Sequence, residues 1–250
     1  MTRILYFIIP LFLMSCGGKE VYNDLKQQNL QGEIKQVRMS SYSVIEKFNQ
    51  VEKKARTSER ENTLTIFNNK GNQVEKTFFS TTDKAMRNYV YRYDTKGNRA
   101  LVNEFKENGT LKTRYIYSYD PETNEVEINS YNGQGAFLQK EIRFYNDKQL
   151  LLEEEIYNKK GELEQKQINT YNDRDLCTET NIYNSDGELN LKYSYAYDDK
   201  GNMVERKKYA KDGKTLANHT YIYTLDEKDN WIQRIEYLNG KAIYLTDREI

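Results

Sequence analysis

Apolar and polar side chains alternate with a period of two along most of the chain. Between residues 114 and 119, Tyr115, Tyr117 and Tyr119 fall on one face, and the residues between them fall on the other. Successive side chains of a β-strand point to opposite sides, so this alternation is typical of strands with one sheltered face. The pattern predicts an all-β protein built from short strands.

The predicted strands recur with a fixed interval of 26 residues. One aromatic series has a member in every repeat: Tyr93, Tyr119, Tyr145, Tyr171, Tyr197 and Tyr223. A second series with the same interval lies between these positions: Phe79, Phe105, Tyr131, Tyr157, Tyr183 and Tyr209. Steps of 12 and 14 residues therefore alternate, which predicts two strands in each repeat.

A polar turn follows most of these aromatic residues. Asp or Asn comes directly after the aromatic residue at almost every step, as at Asp94 and Asn158. The glycines that stand four positions after an aromatic residue are Gly71, Gly97, Gly109, Gly135, Gly161, Gly187, Gly201 and Gly213. An Asx side chain accepts hydrogen bonds from backbone amides just ahead of it, and glycine adopts a positive φ without strain. Short strands joined by tight turns predict an antiparallel meander.

The number of strands determines the expected shape. About fourteen strands would make a sheet about 65 Å wide, and strongly twisted sheets rarely exceed about ten strands without curling. We therefore expect an antiparallel β-meander of 26-residue repeats, two strands each, that curls into an open roll or a superhelical sheet. Deletion of one unit, residues 98–123, is then expected to leave a shorter folded sheet, because the register of the strands is kept.

The composition suits a thin aromatic core and argues against one class of partner. The chain has 22 Tyr and 9 Phe although only 37% of its residues are hydrophobic, so aromatic rings supply much of the apolar area. Lys and Arg number 38, equal to Asp and Glu, and no strongly basic face is evident. We expect no nucleic-acid partner, because such partners require an excess of positive charge.

The N-terminus differs from the rest of the chain. Arg3 precedes an apolar run from Ile4 to Met14, and the sequence Ser15-Cys16 follows it. The run is short for a permanent membrane span and is typical of a signal peptide. A short apolar run, a small residue and a cysteine, in this order, resemble the lipobox of bacterial lipoproteins. That resemblance implies lipidation of Cys16 and a stable membrane anchor.

These features divide the chain into three parts. We expect residues 1–15 to be a lipoprotein signal peptide, residues 16–30 to be the lipidated cysteine and a tether, and residues 31–250 to form the β domain. Residues 45–62 interrupt the period and are expected to form a long loop or a short helix. The expected location is the bacterial cell envelope. We expect a lipid to anchor the chain to a membrane there, and the outer membrane is the expected one.

The tyrosine face is the candidate site. If it lies on an exposed concave surface, the rings of four residues can stack against sugars or hold a peptide: Tyr91, Tyr117, Tyr195 and Tyr221. If it lies inside a roll, the same rings form the core, and the scarcity of aliphatic residues favours this interpretation.

The sequence gives little support for catalysis. His219 is the one histidine, and it stands in a strand position equivalent to Tyr193. The repeated glutamates Glu127, Glu153, Glu179 and Glu205 occupy one column of the repeat, which is better explained by a solvated strand face than by a catalytic pair. Because no hydrolase, phosphate-binding or metal-ligand spacing is present, we expect no enzyme activity, no catalytic residues, no metal and no cofactor.

The motif Tyr-x-Tyr-Asp-x-x-Gly, at Tyr91 to Gly97 and Tyr195 to Gly201, resembles the YD repeat of the RHS (rearrangement hotspot) family. The resemblance covers roughly residues 63–245. It implies a β-sheet spiral, and it is strongest to small YD-repeat lipoproteins of Bacteroidota envelopes, through the endings at Asp229 to Trp231 and Arg248 to Ile250.

Two functions are therefore expected from the sequence. The first is a lipid-anchored, non-enzymatic binding or scaffolding module for an envelope glycan or protein. The alternative, which follows from the RHS resemblance, is an immunity or cargo-handling protein of a secretion or toxin system.

Overall fold

The computed structural model describes residues 23–48, 50–60 and 62–250. Cys16 and the predicted signal peptide lie outside these residues. A short helix, α1 (Asp24–Gln27), precedes the strands. The strands are β1 (Gln36–Lys47), β2 (Gln50–Arg56), β3 (Thr63–Phe67), β4 (Gln73–Phe79), β5 (Ala85–Tyr93), β6 (Arg99–Lys106), β7 (Leu111–Asp120), β8 (Glu125–Asn132), β9 (Phe137–Tyr145), β10 (Leu151–Asn158), β11 (Leu163–Tyr171), β12 (Cys177–Asn184), β13 (Leu189–Tyr197), β14 (Met203–Ala210), β15 (Thr215–Leu225), β16 (Trp231–Leu238) and β17 (Lys241–Glu249). The described ranges contain no helix long and apolar enough to cross a membrane.

Consecutive strands from β3 to β17 pair in an antiparallel meander, and β1 joins the two ends. Residues 38–43 of β1 pair with residues 244–249 of β17. On its other side, β1 pairs with β3 through residues 36–39. All 17 strands belong to one sheet, and β2 pairs only with the far half of β1, so the remaining 16 strands form a closed ring. At about 4.8 Å per strand, the ring is at least about 25 Å across between backbones.

The all-β antiparallel prediction is confirmed, but the expected open roll or superhelical sheet is wrong. The sheet is a closed barrel, because β1 pairs with both edges that an open meander would leave exposed. Closure satisfies the backbone N–H and C=O groups of those edges, which otherwise invite pairing with other chains. The segment 45–62 is also not a plain loop, since it holds the end of β1 and all of β2.

The turns follow the repeated sequence pattern. At the turn after β5, the carboxylate of Asp94 accepts a hydrogen bond from the backbone N–H of Asn98 at 2.8 Å, and Gly97 adopts a φ of 90°. Where the repeat lacks glycine at this position, a non-glycine residue takes the same left-handed conformation, as Asp175 does with a φ of 62°. Many of the strand pairs also carry a β-bulge beside the turn, which strengthens the local twist that closure requires.

The tyrosine face is the inner face of the barrel. Phe78 and Arg87, from β4 and β5, line the same cavity as Tyr221 and Glu236, from β15 and β16. These two groups of strands are separated along the ring by β17, β1 and β3. A shared cavity therefore requires that this face be concave and enclosed. The cross-strand register places Tyr221 beside Glu236 on this face.

Residues 23–35, here called the cap segment, cover one end of the barrel. The cap segment reaches turns on separate parts of the ring: Leu25 N–H donates to Gly71 C=O at 3.1 Å, and Asn29 Nδ2 donates to Lys200 C=O at 3.0 Å. Its apolar side chains join the buried cluster Leu30, Ile34, Val37 and Phe67. Residues 23–30, which the sequence assigned to a tether, are thus part of the fold. The hairpin of β1 and β2 lies at the opposite end of the barrel, here called the mouth.

The first aromatic series fastens neighbouring strands from inside. Each of five tyrosines donates its hydroxyl to the carbonyl oxygen of the residue 20 positions earlier: Tyr93 to Gln73 at 2.7 Å, Tyr119 to Arg99 at 2.9 Å, Tyr171 to Leu151 at 2.8 Å, Tyr197 to Cys177 at 2.8 Å, and Tyr223 to Met203 at 2.7 Å. The acceptor is the first residue of the preceding strand, next to its bulge, where ladder pairing is interrupted. These hydrogen bonds account for tyrosine at five of the six positions of the inner series.

Removal of one such hydroxyl is expected to destabilise the barrel. Tyr197→Phe leaves the Cys177 carbonyl without this donor, and we expect the free energy of unfolding to fall by about 1 kcal/mol, as measured by urea denaturation. Tyr183→Phe is the matched control, because Tyr183 belongs to the outer series on the opposite face of β12. Equal stability of the two variants would contradict the structural role of the inner hydroxyl.

The outer face carries charge pairs at the middle of the strands. Lys166 forms ion pairs with Glu153 and Glu155, Lys192 with Glu179, and Lys207 with Glu205. These side chains lie on the faces of β10 to β14 that point away from the inner tyrosines. The barrel therefore presents a polar outer wall, and three members of the repeated glutamate column belong to it.

Candidate functional site in the lumen of the barrel

A cavity of about 720 Å³ occupies the lumen towards the mouth. It lies between β4 and β5 on one side and β14, β15 and β16 on the other. Residues 58–60, from the loop between β2 and β3, border it as well. A volume in this range is typical of pockets for small ligands.

Aromatic and apolar side chains form part of the wall. Tyr221 is only 7% exposed, and the rings of Tyr221 and Phe78 and the side chain of Met203 all border the cavity. Burial raises the pKa of the Tyr221 phenol above its usual value. The hydroxyl of Tyr221 therefore stays protonated near neutral pH, and it can act as a hydrogen-bond donor.

A buried glutamate organises the charged side of the cavity. Glu236 is 4% exposed and accepts two hydrogen bonds from Arg60, each of 2.9 Å, in a bidentate ion pair. Nδ1 of His219 lies 2.8 Å from the same carboxylate. Burial pushes the pKa of Glu236 upwards, but the hydrogen bonds and positive charge of Arg60 outweigh burial, so this pKa lies below its usual value. The carboxylate is therefore ionised at neutral pH, and it fixes the loop that carries Arg60.

Two further arginines face the cavity without a carboxylate partner among the described residues. The guanidinium of Arg234 lies 5.3 Å from the ring centre of Tyr221, and its Nε is buried without a hydrogen-bond acceptor. Arg206 stands beside Tyr195 and His219 in the cross-strand register of the inner face. Together with Arg60 and Arg87, these residues give the described part of the wall four arginines and two glutamates, Glu59 and Glu236.

The structure separates the four tyrosines of the candidate site into two pairs. Tyr91 and Tyr117 belong to β5 and β7, whereas Tyr195 and Tyr221 belong to β13 and β15, eight strands further along the 16-strand ring. All four are on the inner face, but the pairs lie on opposite sides of the barrel. Tyr221 borders the large cavity, so it is the member of the set with the clearest access to a ligand there.

Tyr117 borders a second, smaller cavity near the cap segment. This cavity has a volume of about 190 Å³ and is also lined by Asp24, Arg99 and Arg143. Arg99 lies over the ring of Tyr91 at 5.0 Å. The pair of Tyr91 and Tyr117 therefore surrounds charged groups that hold the cap segment in place.

Next to the second cavity, two inward glutamates share one arginine. Nε of Arg143 donates to Glu154 at 2.9 Å and also contacts Glu141 as an ion pair without a second hydrogen bond. Burial is the main cause that raises the pKa of Glu141 above its usual value, and the neighbouring Glu154 raises it further. A proton is therefore held more tightly by Glu141 in the folded protein than in the unfolded chain.

This proton affinity predicts a pH dependence of stability. The folded state binds more protons than the unfolded state at pH values above the ordinary glutamate pKa, so stability declines as the pH rises through this range. The free energy of unfolding of the wild type is expected to fall by on the order of 1 kcal/mol between pH 4 and pH 8. Glu141→Gln is expected to abolish this fall, as measured in a series of urea denaturation curves across that pH range. Glu164→Gln, at an exposed position of β11, is the control and is expected to keep the wild-type profile.

Sequence reasoning missed the charged residues of the large cavity. Arg206 and Arg234 occupy inward positions of the alternating pattern, so the alternation could have predicted that their side chains face the interior. Arg60 carries no such signal, because its loop lies outside the repeat. Across the described ranges, no group of three or more His, Cys, Asp or Glu residues is placed to hold a metal ion. The predicted lipidation site, Cys16, lies outside the described residues.

Comparison with known proteins gives limited guidance. A family model described only as an uncharacterised protein matches residues 138–195. No curated protein matches the chain. Among solved structures, a porin-like protein from Bacteroides uniformis is 11% identical, with 86% of this chain and 96% of that chain covered and a TM-score of 0.38.

Two other solved structures have similar scores. A porin-like protein from Bacteroides vulgatus is 11% identical, with 84% of this chain and 97% of that chain covered and a TM-score of 0.36. The TcdB2-TccC3 structure is 14% identical, with 86% of this chain but only 13% of that chain covered and a TM-score of 0.32. Because all three TM-scores are below 0.5, the closed ring rests on the strand pairing within this chain.

Proposed function

We propose that this chain is a lipid-anchored, non-enzymatic binding module of the bacterial cell envelope, and that it holds a glycan in the lumen of its barrel. The observation that carries the proposal is the cavity of about 720 Å³ at the mouth, lined by Tyr221, Phe78 and several arginines. Aromatic faces offer apolar surface to the C–H groups of a sugar ring, and the arginines offer hydrogen-bond donors to its hydroxyl groups.

The shape of the site favours a glycan over a protein partner. The cavity is enclosed by the barrel wall, and the loop bearing Arg60 lies against it. A folded protein partner needs a contact area of several hundred Å² on each side, which a cavity of this kind does not provide. A chain of sugar rings, by contrast, can enter from the mouth and place one ring against Tyr221.

The outer wall supports a barrel that stands in water beside a membrane. The charge pairs of Lys166, Lys192 and Lys207 lie near the middle of their strands. Placing Lys on the lipid-facing side of a spanning barrel costs about 2 to 4 kcal/mol per residue at the membrane centre. A lipid on Cys16 would instead hold the protein at the membrane surface, and the outer membrane is the proposed location.

The anchor also orients the barrel. The segment 16–22 spans at most about 25 Å when extended. It leads into the cap segment, so the capped end faces the membrane and the mouth faces away from it. A glycan in the surrounding medium can then reach the cavity.

Binding to Tyr221 tests the proposal. The full chain in detergent micelles is titrated by calorimetry with a panel of envelope oligosaccharides, and Tyr221→Ala is expected to weaken the observed binding by about tenfold or more. Tyr183→Ala on the outer face is expected to leave it unchanged. Absence of saturable binding to any member of the panel, or the appearance of a cleaved product, would contradict a non-enzymatic glycan-binding role.

The anchor has its own test. Mass spectrometry of the N-terminal peptide from envelope fractions is expected to show a lipidated Cys16. Cys16→Ser is expected to move the protein from the detergent phase to the aqueous phase. An aqueous wild-type protein with an unmodified Cys16 would contradict the anchor but would leave the binding proposal standing.

A further inference from the structure

Two arginines that line the lumen cavity, Arg206 and Arg234, have no carboxylate partner among the described residues. The described part of the wall also carries two glutamates, Glu59 and Glu236. Neither carboxylate forms an ion pair with these two arginines: Glu236 binds Arg60 and His219, and Glu59 accepts a hydrogen bond from the hydroxyl of Tyr244. No carboxylate of the described residues remains for Arg206 or Arg234.

Arg234 is held in a position from which it can bind a ligand. Its guanidinium lies 5.3 Å from the ring centres of both Tyr221 and Trp231, which fix its plane. Its Nε is buried without an acceptor. Arg234 also borders the cavity, so its guanidinium can donate hydrogen bonds to a ligand oxygen there.

A second buried arginine lies near Arg234. Arg248 is 4% exposed, and its guanidinium lies 4.3 Å from the ring centre of Trp231. Burial, and then the charge of Arg234, lower the pKa of Arg248 to about 10. The two guanidinium groups therefore repel each other in a poorly solvated part of the lumen, and a bound anion would relieve this repulsion.

We propose that the ligand in this cavity is an acidic saccharide, with its anionic group on Arg206 and Arg234 and its sugar ring on Tyr221. This inference rests on the proposed glycan-binding function and names the class of glycan. A planar guanidinium binds carboxylate, sulfate or phosphate oxygens in a forked geometry, and such charge-assisted pairs are stronger than neutral hydrogen bonds. The enclosed wall also strengthens the attraction, because water screens charges less inside the lumen than at the surface.

The experiment compares acidic sugars with neutral copies of themselves. The full chain in detergent micelles is titrated with trigalacturonate and with triguluronate, and each is matched by the trisaccharide in which the carboxylates are reduced to alcohols. Inorganic sulfate and inorganic phosphate are titrated as free anions. We expect an acidic trisaccharide to bind about 10- to 100-fold more tightly than its reduced copy, with an affinity that falls as salt is added.

Two variants separate the cavity from the surface. Arg206→Gln is expected to reduce the ratio of the affinities for the acidic sugar and its reduced copy by about tenfold or more, because only the acidic sugar loses a charge-assisted pair. Arg114→Gln is the matched control, since Arg114 is exposed on the outer face of β7. An unchanged preference in Arg206→Gln would overturn the assignment of the anion to this cavity.

The possible outcomes distinguish the proposal of an acidic saccharide from the proposal of glycan binding. Equal affinity for acidic and reduced sugars would overturn the acidic class and leave the glycan proposal intact. Sulfate or phosphate binding as tight as that of the acidic sugars would also overturn it, because the site would then select a free anion. If none of the four trisaccharides binds, the acidic class is overturned, and the glycan proposal is decided by the separate panel of envelope oligosaccharides.

Discussion

Deletion of residues 98–123 is expected to remove most of the stability of the barrel, although it keeps the register between the strands that become neighbours. The deletion joins Gly97 to Asn124 and lets β5 pair with β8 in the register that β6 had. In an open meander, this change would leave a shorter folded sheet. In the closed ring, it leaves 14 of 16 strands, so β1 must still join β3 to β17 around a narrower lumen.

Two consequences of a narrower ring account for the expected loss. The inner side chains are arranged for 16 strands, and overfilling an interior costs about 1 to 3 kcal/mol at each crowded position. The cap segment also loses Arg99, to which Asp24 is bound at 2.8 Å. Since native domains are stable by only about 5 to 15 kcal/mol, these terms together suffice to unfold the protein.

A second deletion separates ring closure from loss of the cap contact. Removal of residues 150–175 also takes out two strands, β10 and β11, but it keeps Asp24 and Arg99. Urea denaturation and the radius from small-angle X-ray scattering are measured for both deletions. We expect both to be strongly destabilised, the 98–123 deletion more so. Wild-type stability in both variants would contradict a ring whose size is fixed by its interior.

The local features of the fold were predictable because they depend on neighbouring residues. The alternation around Tyr115 and Tyr117 gave the strands, and turn residues such as Asp94 and Gly97 gave the connections. Ring closure depends instead on pairing between residues 38–43 and 244–249, which lie at opposite ends of the chain. No sequence motif indicates that pairing. The 26-residue repeat is equally compatible with a curled sheet whose two edges stay unpaired.

The candidate site was predictable to a similar extent. Tyr221 follows from the alternation, since it stands two residues before the inward Tyr223. The cavity itself forms only when β4 and β5 are brought round to β14–β16 by closure. The sequence predicted a tether for residues 16–30 because this stretch is polar, yet Leu30 is buried in the cluster that closes one end of the barrel.

Asp24→Ala is expected to release the cap segment and to cost about 3 to 5 kcal/mol of stability. The Asp24 carboxylate accepts hydrogen bonds from Arg99 at 2.8 Å and from the Gln73 backbone N–H at 2.8 Å, and at 2.9 Å it shares the hydroxyl proton of Tyr93 with the Gln73 carbonyl. Burial disfavours the charge on Arg99, but the carboxylate of Asp24 outweighs burial and keeps the pKa of Arg99 above its usual value. Loss of Asp24 therefore leaves a cation in the lumen without its partner.

Two further variants distinguish the effect of the unpaired Arg99 charge from the effect of losing the contacts of Asp24. Asp186→Ala, at an exposed turn position, is the control and is expected to change stability by less than about 0.5 kcal/mol. The double variant Asp24→Ala, Arg99→Met is expected to be more stable than Asp24→Ala alone, because it removes the cation together with its partner. Hydrogen exchange of the amides in residues 24–35 is expected to accelerate in Asp24→Ala. Exchange at the wild-type rate would mean that the apolar cluster of Leu30, Ile34, Val37 and Phe67 holds the cap segment without this ion pair.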